Sequence, residues 1–228
     1  MALRTRHGDQ IATITHRLLA AASLAISLGL AACAGGPVPP AWQADAHSAL
    51  NTFSSAYLTG NTRLAESSFL RARSELAHTG RFDLVARAEL VRCALQVASL
   101  DFDECPGFVA LAGDADAAGQ AYADFLAGRA VNPALLPAHY RAVLEGRKDG
   151  LAAIENPQAR LIAAGVVLRR GQLAPVDIKL AVETASAQGW RRPLLAWLGV
   201  QAKHADSQGD HMAAGQARRR SELLTDNR

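Results

Sequence analysis

Two hydrophobic patterns divide the chain. Leu18 to Gly29 is an apolar run without a single charge. At about 1.5 Å rise per residue it is too short to cross a hydrocarbon core of about 30 Å comfortably. From Trp42 onward the apolar positions recur instead at helical spacings of three and four, with short breaks. The pattern predicts helices over 42–58, 62–78, 84–100, 115–127, 133–145, 157–170, 175–188, 193–207 and 210–224. The stretch 84–100 is apolar over the widest arc. Leu84, Ala88, Val91, Leu95 and Ala98 form one stripe, and Leu90, Ala94 and Val97 form a second beside it. A helix of that kind is covered on two sides and is expected at the centre of the core.

Residue types support an all-α body. Alanine is abundant, and the longest β-branched run is only Val166-Val167, itself inside a helical pattern. Asn132-Pro133 and Asn156-Pro157 each offer a capping side chain followed by a proline whose missing N–H costs nothing in a first helical turn. Pro175 and Pro193 read as further starts. Gly60, Gly80, Gly113, Gly171, Gly189 and Gly209 fall between periodic stretches as caps or turns. The expected architecture is stacked antiparallel hairpins in one domain, residues 42–228, with no internal linker to split it. An irregular helical bundle is the alternative.

The apolar run has flanks that give it a meaning. Arg4, Arg6 and Arg17 precede it against the single acid Asp9, and it ends in Leu28-Gly29-Leu30-Ala31-Ala32-Cys33. Positive start, short apolar stretch and small residues are the layout of a secretory signal peptide. The segment Leu30-Ala31-Ala32-Cys33 resembles a bacterial lipobox, whose cysteine is acylated and becomes the mature N-terminus. The resemblance implies a signal peptide over 1–32, lipid attachment at Cys33 and a tether over 33–41. Ala34 stands where an Asp is associated with retention in the inner membrane, so the implied address is the periplasmic face of a Gram-negative outer membrane. Several acyl chains on one cysteine hold a protein stably where one chain does not. The tether Ala34-Gly35-Gly36-Pro37-Val38-Pro39-Pro40 reaches about 20–25 Å at most, so the body is expected close to the lipid surface.

Removing the leader changes the charge. Lys+Arg is 24 against 21 Asp+Glu in the whole chain, and 21 against 20 once residues 1–32 are gone. A balance of +1 calls for no nucleic-acid partner.

A short pattern recurs in the body: Gly, Ala five residues later, an aromatic four after that. Gly60-Ala65-Phe69, followed by Ala72, is the fullest copy. Gly113-Ala118-Tyr122 is a second, and Gly209-Ala214 with Arg218 in place of the aromatic is a third. These resemble the second-helix half of a tetratricopeptide repeat, in which Gly turns the chain, Ala permits close approach and the aromatic fills the groove. Trp197-Leu198-Gly199 resembles a piece of the first-helix half. The copies are 53 and 96 residues apart rather than at the family period, which leaves the irregular bundle open. A helical-repeat lipoprotein of this kind is expected to bind a protein or peptide rather than to catalyse.

Candidate chemistry is sparse. Cys93 and Cys105 remain beyond Cys33, separated by a helix end and the turn Asp101-Phe102-Asp103-Glu104. In an oxidising compartment an even pair predicts a disulfide, and a bridge closing about 13 residues contributes on the order of 3 kcal/mol in the chain-entropy model. The other reading leaves Cys93 as a small core residue and Cys105 free. No CxxC, HExxH or zinc set is written. His47, His78, His139, His204 and His211 are scattered over different helices, and no cofactor is called for. Glu66-Ser67-Ser68-Phe69 resembles the opening of the lytic transglycosylase motif, whose lone acid protonates a glycosidic oxygen of peptidoglycan. The residues after it, Leu70-Arg71-Ala72-Arg73-Ser74, depart from that family's continuation. Arg218-Arg219-Arg220 reads as solvated charge in a last helical segment, and Trp190 and Trp197 read as core. The expected function is a lipid-anchored scaffold facing the periplasm. A cell-wall hydrolase using Glu66 and a purely structural envelope lipoprotein are the alternatives.

Overall fold

In a computed structural model, residues 40–226 are described, and they form ten helices linked by turns and 3-10 segments, with no strand among them. The all-helical expectation holds. Cys33, the lipobox and most of the tether lie outside the described residues.

Eight long helices match the predicted ones to within a few residues. They are α1 (Ala41–Thr59), α2 (Thr62–Ala77), α3 (Phe82–Ala98), α5 (Ala117–Leu126), α7 (Pro157–Arg169), α8 (Pro175–Ala187), α9 (Arg191–Ser207) and α10 (His211–Asp226). Side chains written in the sequence start several of them. The Asn61 carboxamide oxygen accepts the Leu64 N–H, Asp116 accepts that of Gly119, and Asn156 accepts that of Ala159. Each satisfies an amide that the first helical turn leaves without a partner.

The predicted helix 133–145 does not exist as one helix. It is a 3-10 turn (Pro133–Leu135), an extended Leu136, a second turn (Ala138–Tyr140) and a single helical turn, α6 (Arg141–Leu144). Pro137 is the cause. Its ring forces the preceding residue out of the helical region, and Leu136 sits at φ −105°, ψ 156°. Asn132 still caps, but it caps the 3-10 turn through the Ala134 N–H. A one-turn helix that the periodicity does not predict, α4 (Pro106–Val109), follows Cys105.

Helix α3 is central, packed against α1, α2, α4, α5 and α7. Its two stripes feed two cores. Ala88 and Leu95 join Phe53 and Phe69 of α1 and α2, with Leu84 and Val91 at the margin. Leu90, Ala94 and Val97 join Phe125, Leu161 and Trp197 in the larger core, and Ala98 of the first stripe goes with them.

Successive helices make hairpins at α1–α2, α8–α9 and α9–α10. In an open solenoid each unit would touch only its neighbours. Here α9 returns to the beginning of the body. The Arg192 guanidinium donates to the Tyr57 carbonyl (2.8 Å) and the Thr62 hydroxyl (2.8 Å), across 135 and 130 residues. The buried Trp197 indole N–H donates to the Ala98 carbonyl at the end of α3 (3.1 Å). These contacts close the helices into a bundle.

The three copies of the Gly–Ala–aromatic pattern fare differently. In the first, Gly60 turns the chain at φ +90°, and Ala65, Phe69 and Ala72 are all buried. In the second, Ala118 is exposed, and Ala121 and Phe125, three positions after the pattern's Ala and aromatic, are buried on α5 together with Leu126. In the third, Gly209 turns and Ala214 is buried, while Arg218 points outward to Asp206.

Candidate functional site

The break at Pro137 shapes a groove. Because residues 133–144 cannot run as a straight helix, they cross beside α3, α5 and α7 and leave a depression of about 750 Å³ between them. Leu90 and Val91 of α3 and Ala159 and Ile162 of α7 give it apolar walls, and Gly119 opens it on the α5 side. Tyr122, His139 and Tyr140 supply its aromatic surface. The Tyr140 ring packs against Phe125 (4.7 Å between centroids) and His139 (4.1 Å). It also stacks on the Tyr122 ring (6.2 Å between centroids).

The groove is close to electrically neutral. Arg87 and Asp116 face each other across the rim at 2.6 Å. Asp116 accepts the Gly119 N–H and the Arg87 guanidinium, which together hold its carboxyl below the usual carboxylate range. Burial pushes the Tyr122 hydroxyl up to about 12 and raises Tyr140 as well, while burial lowers His139. At neutral pH both tyrosines are therefore protonated, and the imidazole is biased toward its uncharged form. No Ser, Thr, Cys or Lys is among the lining residues. Hydroxyls, an imidazole and the Gln158 amide around apolar walls can hold an apolar side chain and hydrogen-bond its polar neighbours. The volume is in the range of ligand-binding clefts.

A second constellation surrounds the cysteines. Buried Cys93 on α3 and half-buried Cys105 lie at disulfide distance, their Cα atoms 5.7 Å apart. Cys105 takes a left-handed backbone (φ 49°), and its N–H donates to Asp103 Oδ1 (2.8 Å). Asp103 Oδ2 in turn accepts from the Gln96 amide (2.9 Å). The loop thus returns onto α3, and Gly107 lies against Glu89, a carboxylate buried to 5% exposure. Arg73 of α2 donates to Glu89 Oε1 (3.0 Å). Clefts of about 490 and 290 Å³ flank the loop, and Asp103 and Cys105 line both.

The remaining sequence candidates are not gathered into either place. Glu66 is half-exposed on α2, 3.5 Å from Arg92, whose guanidinium lies over the Phe69 ring. Phe69 is core. His47, His78, His204 and His211 sit on separate turns or helices, and His139 alone lines the groove. Arg218 pairs with Asp206, and Arg219 and Arg220 are exposed. Trp197 is fully buried and Trp190 half-buried, as expected of core residues. Sequence reading named Tyr122 only as a repeat aromatic, and it missed Tyr140, Asp103 and Glu89. The Pro137 break was the available signal for Tyr140. Asp103 and Glu89 carry no motif.

No helix among the described residues is long and apolar enough to cross a membrane. Comparisons with protein-family models, curated proteins and solved structures return no match for this chain.

Proposed function

We propose that this chain is a lipid-anchored scaffold of the Gram-negative outer membrane, facing the periplasm, whose helical body binds a peptide or a segment of a partner protein. The observation that carries the binding role is the groove beside α3, α5 and α7. It offers apolar walls, hydroxyl, imidazole and amide side chains for hydrogen bonding, and a mutually paired Arg87 and Asp116 at its rim. Such a surface recognises a chain by burying one or two apolar side chains while hydroxyl and amide groups meet the backbone. The lipobox-like Leu30-Ala31-Ala32-Cys33 supports the anchor, and a tether of about 20–25 Å at most would start the body close to the lipid.

Glu66 does not favour the hydrolase alternative. A general acid of that kind works from an apolar pocket beside its substrate, and Glu66 faces solvent and a guanidinium.

Two measurements test the proposal. Intact-mass analysis after expression in a Gram-negative host should give a chain beginning at Cys33 with added acyl mass, and an unacylated chain would refute the anchor. Ala118→Trp, an exposed position on the groove wall, should abolish partner capture and leave the circular dichroism spectrum unchanged. Undiminished capture would remove the groove from the function.

A further inference from the structure

The sequence holds no recognisable metal motif, but the fold builds a donor set. The Cys93 and Cys105 sulfurs and an Asp103 carboxylate oxygen all lie within 4.8 Å of one another. We propose that reduction of the Cys93–Cys105 bridge turns this corner into a site for a thiophilic metal ion such as Zn²⁺, held by two thiolates and Asp103.

Four ligands around zinc stand about 3.5–4 Å apart, from a Zn–S distance of about 2.3 Å and tetrahedral angles. The three donors already lie within 4.8 Å of one another, so once the sulfurs are no longer bonded they need only move apart to reach that spacing. The adjustment falls on the Cys105 side, which is carried by a turn, while Cys93 is fixed in α3. Asp103 is oriented beforehand. One of its oxygens accepts the Cys105 N–H and the other the Gln96 amide, and each keeps a free lone pair for an ion. Partners that fix a ligating carboxylate in this way are a regular part of metal sites. Access is built in as well, because the clefts on either side of the loop both reach Cys105 and Asp103. Three protein donors leave the fourth position to water.

The redox step balances with a dithiol as the reductant. The Sγ–Sγ bond breaks, the two cysteines take two electrons and two protons from the dithiol, and the reductant closes its own disulfide. When the ion binds, the two thiols release their protons to solvent and coordinate as thiolates. The same two sulfurs are therefore either a covalent clip or a metal site, never both.

The test uses the full chain carrying Cys33→Ser, so that only these two thiols are present. Protein reduced with a phosphine, and the same protein left oxidised, are titrated anaerobically with Zn²⁺ against a chromophoric chelator. A repeat with Cd²⁺ reads the thiolate charge-transfer band. Reduced protein should take up one equivalent with that band, and oxidised protein none. Asp103→Asn keeps both sulfurs and the fold-supporting bridge, and should weaken the reduced form's affinity about tenfold or more. Equal uptake by reduced and oxidised protein would overturn the proposal, and so would an unchanged affinity in Asp103→Asn.

Discussion

Gly165 of α7 lies directly on the Val97 backbone of α3. A Cβ built at Gly165 would overlap the Val97 carbonyl oxygen and stand 2.9 Å from its Cγ1 and 3.0 Å from its carbonyl carbon. The two most deeply buried long helices of the body are thus in backbone contact at a point where only glycine fits. Gly165→Ala should destabilise the fold by about 1–3 kcal/mol, because a backbone carbonyl cannot step aside as a flexible side chain can. Gly199, in mid-α9, is exposed and would meet nothing within 4 Å. Gly199→Ala should stabilise by up to about 1 kcal/mol through helix propensity. Urea unfolding of the two variants checks the opposite signs, with m unchanged in both.

Trp197 ties the last hairpins to the centre. Its ring is fully buried and its N–H satisfies the Ala98 carbonyl. Trp197→Ala should cost about 3–5 kcal/mol, as loss of a large core aromatic does. Trp197→Phe should cost less while still leaving that carbonyl unpaired. Thermal unfolding of both variants gives the order.

The Arg73–Glu89 pair is asymmetric, with the carboxylate buried and the guanidinium half in water (7% and 48% side-chain exposure). Arg73→Ala strands a buried charge and should cost about 3 kcal/mol. Glu89→Gln leaves a cation that can still reach solvent, and should cost clearly less. Chemical denaturation of the two single variants and the double variant measures the coupling.

All three tyrosines of the chain are shifted upward by burial, Tyr57 and Tyr122 to about 12 and Tyr140 higher still. In the unfolded chain they ionise near 10. Above about pH 10 the unfolded state therefore holds fewer protons than the folded one, and stability falls as pH rises. Below that range the tyrosines contribute no pH dependence. Tyrosinate absorbance should grow together with the loss of helical ellipticity on alkaline titration, not before it.

The helices were legible because their starts and stops are chemical. Asn156 caps the helix start that the sequence writes there, and the two stripes on α3 anticipate its two cores. The groove was not legible, since it depends on a helix that fails. Apolar spacing at 133–145 suits a helix, and Pro137 overrides it through the backbone of Leu136. The repeat spacing misled at α5 for a related reason. The cap at Asp116 sets where that helix begins, and this turns Ala121 and Phe125 fully inward, leaving Ala118 exposed and Tyr122 only partly buried, where a repeat would bury both. Gly165 read as a neutral helix residue, because what excludes a side chain there is a carbonyl 68 positions earlier in the chain. Likewise Asp103 meets the cysteines only because Cys105 adopts a left-handed turn.

Site-specific photo-crosslinking in the intact envelope tests the binding role most directly. A photoreactive residue replaces Ala118 on the groove wall or, as a control, exposed Lys203 on α9, each in the anchored chain and in Cys33→Ser. The account predicts a discrete adduct from position 118, absent from position 203 and lost without the anchor. The same adducts from both positions, or an adduct at 118 indifferent to Cys33, would contradict a membrane-tethered body that binds through this groove.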